Sequence, residues 1–65
     1  MTLKIYNNKT NKIIFKTNIN QEILNNYEIN TNEENFDELF ETEILNDVFE
    51  ENNIKSNEVY YELIK

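Results

Sequence analysis

The side chains of this chain that could do chemistry are almost all carboxylates. Glu34, Asp37, Glu38 and Glu41 recur at spacings of three and four, which on a helix places them along one face. Carboxylates in such an array serve proton transfer, cation binding or recognition of a basic surface. Proton transfer by a pair such as Asp37 and Glu41 needs a pocket that pushes their pKa values apart, and a domain this small rarely encloses one. The chain has no His to act as a base near neutrality and no Cys to act as a nucleophile. Ser56 is its only serine, and without Gly it has no phosphate-cradling loop. Calcium loops of the Asp-x-Asp-x-Asp-Gly type are absent, and there is no Cys or His for zinc. Glu33-Glu34 and Glu50-Glu51 read as solvated helix ends. No catalytic residue, metal ligand or cofactor site is therefore assigned, and the chain reads as non-enzymatic.

Recognition of a basic surface remains. No Lys or Arg lies between Glu33 and Ile54, whereas an ordinary surface intersperses both signs. Like charges three and four apart also destabilise a helix slightly. One reading is a solubilising face. The other is a surface that competes with nucleic-acid phosphates for a basic groove on another protein, with fast, salt-sensitive association. In that reading Glu34, Asp37, Glu38, Glu41, Glu50 and Glu51 make charge contacts. Tyr60 or Tyr61 supplies a packing anchor, tyrosine being enriched at binding hot spots.

The charge is segregated along the chain. Lys4, Lys9, Lys12 and Lys16 precede Thr17 without a single acid, and all 13 acids follow it, against only Lys55 and Lys65. The lysines have three readings: guarding sheet edges against aggregation, meeting the acidic helix of a second copy, and holding a nucleic-acid backbone with Tyr6 stacking a base. With a net charge of −7, approach to a polyanion is opposed, so direct nucleic-acid binding is not expected.

Sixty-five residues without Cys form one small domain, residues 1–65, of marginal stability. Asn, Ile and Lys make up 29 of the 65 residues, a low-GC bias, and with no Gly any positive φ falls to Asn. The predicted class is α+β. Alternation of Leu3 and Ile5, then Ile13 and Phe15, around Asn7–Asn11 predicts a β-hairpin over 2–7 and 12–18. Its apolar face would be Leu3, Ile5, Ile13 and Phe15, and its basic face Lys4, Tyr6, Lys12, Ile14 and Lys16. Asn18 or Asn20 caps a helix over 20–27, although 27–31 would also suit a strand. Asn32 caps a further helical stretch, read as two segments over 33–41 and 43–52. Its phase breaks: Phe36, Leu39 and Phe40 share one side, while Leu45, Val48 and Phe49 centre far around the cylinder at about 100° per residue. A break or π-bulge near Glu41-Thr42-Glu43 would restore a single buried face. Segment 57–64 fits a helix stripe (Val59, Tyr60, Leu63, Ile64), the preferred reading, or a third strand. No apolar run suits a secretion signal or a membrane span, so a cytoplasmic protein without a membrane partner is expected.

At the level of class rather than motif, the chain resembles small acidic inhibitors encoded by phages and mobile elements, anti-CRISPR proteins and DNA mimics among them. The resemblance rests on size, the lack of catalytic residues, the AT-biased composition and the Glu33–Glu51 acid array. It implies a stoichiometric inhibitor acting by protein–protein contact on a nucleic-acid-handling effector, and carries over no single residue's role. The alternative is a small structural or assembly protein that homo-oligomerises, for instance as a homodimer, through its basic hairpin.

Overall fold

Strands β1 (Thr2–Asn7) and β2 (Ile13–Asn18) form the antiparallel hairpin that the alternation predicts. The computed structural model describes Met1–Lys65. Asn7 builds the turn: its side-chain carbonyl accepts from the Lys9 and Thr10 amides at 2.8 and 3.1 Å. Asn11 takes the positive φ of 58°. The register then slips, with Ile5 opposite Phe15 but Tyr6 opposite Ile13. Ile14 is the extra residue of a bulge. This corrects the predicted faces: the slip moves Ile13 to the Lys4–Tyr6 side, and Lys12 precedes the strand.

The tail is strand β3 (Val59–Ile64), not a helix. It pairs antiparallel with β1 over six residues without a slip, giving the order β2-β1-β3. The local pattern was compatible with both states; β1 decides it, because a strand with one open side and a half-buried face gains a full ladder from a partner. A 3₁₀ turn, Ser56–Glu58, stands where a helix start was read.

Helix α1 (Gln21–Asn26) begins at Asn20, whose side chain accepts from the Ile23 amide at 3.0 Å. It ends in a Schellman motif. The Glu28 and Ile29 amides donate to the Asn25 and Leu24 carbonyls, both at 3.0 Å, and buried Leu24 and Ile29 make the accompanying apolar contact. Glu28 itself holds φ 56°, so Asn does not fill every left-handed position. Residues 27–31 form no strand.

The second helical stretch is one continuous rod: α2 (Phe36–Leu39), a π segment (Phe40–Leu45) and α3 (Asn46–Glu51). The phase break predicted a break or π-bulge between two segments over 33–41 and 43–52; the π segment instead joins them into one rod, and its wider turn brings Phe36, Phe40, Ile44 and Leu45 to one buried side. Thr42 bonds back to the Glu38 and Leu39 carbonyls at 3.0 and 3.4 Å, which satisfies acceptors that the altered helix frees. The rod starts at Phe36 rather than Glu33. Asn30 turns the chain first, its side chain accepting from the Asn32 amide at 3.0 Å, and Asn35 precedes the helix without a side-chain cap. The rod closes in a second Schellman motif through Asn53, φ 53°, with the Ile54 amide on the Phe49 carbonyl at 2.9 Å.

These helices lie against one face of the sheet, where Leu3 and Ile5 of β1 are wholly buried. Ile19, Leu24 and Ile29 complete the core with the four rod residues, and no polar side chain is buried. No helix is long and apolar enough to cross a membrane.

Candidate interaction surface

The acids do not act as one stripe. Asp37, Glu38 and Glu41 stand exposed on the first half of the rod, while Glu34 lies in the turn before it. Glu50 and Glu51 sit on α3 at the far end. No three acids converge in a way that could hold a metal ion. Cations hardly reach this surface. Lys65 lies 3.8 Å from Asp37, in the molecule's one ion pair, and places its ammonium 4.7 Å from the Phe36 ring centre.

Strand β3 separates the two predicted tyrosine anchors, because successive residues of a strand face opposite ways. Tyr61 points inward, its ring 6.0 Å from Phe40 and its hydroxyl donating to Glu41 at 2.7 Å. Loss of water around the ring, then the Glu41 hydrogen bond and the charges of Glu41 and Asp37, hold its hydroxyl well above the usual tyrosine range. Tyr60 points outward, stacked on Tyr6 with ring centres 4.9 Å apart and planes 9° apart. Its hydroxyl donates to the Asn11 side chain at 3.0 Å. Only Tyr61 therefore adjoins the acids, and it does so as their hydrogen-bond donor.

Two arrangements went unseen in the sequence. Tyr27 of the α1 C-terminus donates to Asp47 of α3; that bond first, then desolvation and the charges of Asp47, Glu51 and Glu43, push its pKa up to about 12. The pair borders a groove of about 290 Å³ floored by Phe15, Ile23 and Val48 and rimmed by Glu51. Nothing in the local sequence links residues 27 and 47. The second arrangement is the outer sheet face, where Tyr6 donates to Glu62 at 3.1 Å. Partial burial and then Glu62 raise the Tyr6 pKa. Reading the tail as a strand with Val59, Tyr61 and Leu63 inward would have put Tyr60 on the outer side with Tyr6, but only the register of pairing sets the two opposite each other.

The fold and surface thus define a small α+β protein with a three-stranded antiparallel sheet, helices on one face and an acid-rich helical layer. Comparison with known protein families, with characterised proteins and with solved structures finds no match to this chain.

Proposed function

We propose that the protein is a non-enzymatic binding protein of the inhibitor type, whose acidic helical layer occupies a basic surface that its target uses for nucleic acid or for assembly. The observation that carries this reading is the single-sign exposed field on the rod and the turn before it. Of Glu34, Asp37, Glu38 and Glu41 only Asp37 has an ion-pair partner, Lys65; Glu50 and Glu51 form no ion pair, and Lys55 borders the same recess as Glu50. Such a field accelerates encounter with a basic partner and disfavours acidic ones. A target that grips phosphates presents a matching surface. The anti-CRISPR-like and DNA-mimic resemblance belongs to the same reading.

The internal contacts select the test. Asp37 and Glu41 help hold Lys65 and Tyr61, so reversing them disturbs the fold as well as the surface. Glu34 and Glu38 have no side-chain partner, and Glu34→Lys/Glu38→Lys leaves the packing intact. The wild-type protein, immobilised and exposed to its host's extract at low salt, is expected to retain a nucleic-acid-binding protein, to release it as salt rises, and to lose it to competing DNA. The double variant is expected to retain none. Equal capture by wild type and variant, or a complex indifferent to both salt and DNA, would overturn the reading.

A further inference from the structure

The outer face of the sheet is left uncovered by the helices, and three rows of side chains cross it: Ile13–Tyr6–Tyr60, Lys16–Lys4–Glu62 and Asn18–Thr2–Ile64. The first is aromatic and apolar. Tyr6 and Tyr60 are stacked, and Ile13 and Tyr60 keep 49% and 44% of their surface in water. The second sets Lys4 directly opposite Lys16, an arrangement that destabilises an antiparallel pair. Glu62, across from Lys4, is hydrogen-bonded to Tyr6 and forms no ion pair with either lysine. With Glu62 on the far side of Lys4, the row carries two ammonium groups against one carboxylate, and its anion-attracting end is the Lys4–Lys16 pair. It lies two residues along the strands from the rings, roughly 7 Å at the usual rise.

We propose that this face binds single-stranded nucleic acid, with backbone phosphates on Lys4 and Lys16 and a base against the edge-strand ring of Tyr60. Charged rows beside aromatic rings are how single strands are held without sequence preference. The net charge of −7 does not veto this, because the two charges occupy different layers. The acid-bearing helices pack on the opposite face of the sheet, no extent of the molecule is below 20 Å, and screening acts over about 8 Å at physiological ionic strength. At that ionic strength a ligand on the sheet face responds chiefly to the groups beneath it, Lys4 and Lys16 against the single carboxylate of Glu62. A second copy could bring carboxylates to the lysines, but the tyrosines beside its acids, Tyr27 and Tyr61, are already bonded to Asp47 and Glu41 and offer no free ring to the aromatic row. A duplex fits less well, since its major groove admits a helix or a two-stranded ribbon rather than a three-stranded face.

Fluorescence anisotropy of a labelled oligothymidylate of about 16 nucleotides, near the upper site size of small single-strand binders, tests the assignment. Saturable binding is expected at about 0.15 M salt, where screening confines the field of the helical acids. With two phosphates neutralised on a single strand, log affinity should fall against log salt with a slope of about −1.4. Lys4→Gln/Lys16→Gln is expected to abolish binding. Tyr60→Ala should weaken it by roughly 5- to 150-fold, the loss of one base stack, while Tyr60→Phe stays near wild type. Circular dichroism should be unchanged throughout, since all three positions lie on the surface. A flat titration of the wild type at about 0.15 M salt overturns the proposal, as does binding that survives the double lysine variant. So does sedimentation showing an oligomer that forms without oligonucleotide and is lost in the lysine variant, which would give the face to a second copy. All acids of the helical layer are intact in these variants, so failure here leaves the proposed target binding untouched.

Discussion

The helical layer and the outer sheet face carry opposite charge, but they differ more in how that charge is used. Several acids of the helical layer have internal duties: Glu41 accepts from Tyr61, Asp47 from Tyr27, and Asp37 holds Lys65. On the sheet face neither Lys4 nor Lys16 has a carboxylate partner. Counting residues makes the protein an acidic one with a few stray lysines. Counting partners shows that part of the acidity is structural, whereas the two lysines are held opposite each other with only Glu62, across from Lys4, to offset the repulsion. The same asymmetry appears in burial, because the core forms on the helix side of the sheet and leaves stacked tyrosines and isoleucines in water on the other.

The sharpest way to break this comparison is to truncate one aromatic from each side. Phe40 is wholly buried between Phe36 and Tyr61 where the π segment begins. Phe40→Ala is expected to cost about 3–5 kcal/mol, enough to leave a chain this small largely unfolded. Tyr60→Ala gives up a half-exposed stack and the hydroxyl's bond to Asn11 and should cost about 1–3 kcal/mol, less than the core truncation. Urea denaturation of both variants measures the gap, and similar costs would mean that the sheet face contributes to the core after all.

Alkaline pH probes the structural acids next. A tyrosine whose folded pKa lies above its usual value of 10 binds its proton more tightly in the folded state, so its stabilisation is complete below pH 10 and is lost as pH rises through the folded pKa. For Tyr27 that window runs from 10 to about 12, and Tyr61 shifts in the same direction. Unfolding midpoints should therefore fall steeply above pH 10. The double variant Tyr27→Phe/Tyr61→Phe should fall less over the same range while starting from a lower stability. An equally steep fall would assign the alkaline loss elsewhere.

How much of this could be read in the chain depends on the range of the deciding interaction. The π segment was legible because its cause is local: Phe36, Leu39 and Phe40 are out of phase with Leu45, Val48 and Phe49, and only an altered turn serves both. The Asn20 cap and the β1–β2 pairing were legible for the same reason. The tail was not, since Val59–Ile64 satisfies both periods and only the free side of β1 selects the strand. Misplacing the tail hid half of the outer face, including the Tyr6–Tyr60 stack and the Lys4–Glu62 register. The hairpin slip at Ile14 hid the rest. The acids themselves were visible, but that Glu41 and Asp47 would serve tyrosines 20 residues away along the chain depends on packing that no spacing encodes.

The π segment offers a finer test of the helical layer. Deleting Thr42 removes one exposed residue from the widened turn and rotates the C-terminal half of the rod by about 100°, more than half of the roughly 180° by which the two apolar clusters are out of step. The expected product is a regular α-helix with both clusters still facing the sheet. The Tyr61–Glu41 and Tyr27–Asp47 contacts lie on either side of the deletion and should survive. Stability should change by no more than about 1 kcal/mol, since Thr42 buries nothing and the carbonyls it bonds would regain amide partners. Circular dichroism and thermal unfolding report the outcome. A molten or unfolded product would mean that the wide turn itself, and not merely its phase, is needed to seat Phe40.

The smallest expected effect bears most directly on the contrast between the layers. Lys16→Gln removes the repulsion between Lys4 and Lys16 while leaving Lys4 opposite Glu62. Opposed like charges cost a few tenths to about 1 kcal/mol, and this variant should be more stable than wild type by that amount, with the gain shrinking as salt screens the pair. Lys4→Gln should gain less, because it also gives up the attraction to Glu62, and the two effects should not add, because either change alone removes the one repulsion. A stability increase coupled to weaker oligonucleotide binding would identify the lysine pair as a place where the fold gives up stability for recognition. If instead the variant is less stable, the ammonium groups have an internal role that their lack of ion pairs conceals, and the sheet face would resemble the helical layer more closely than its geometry suggests.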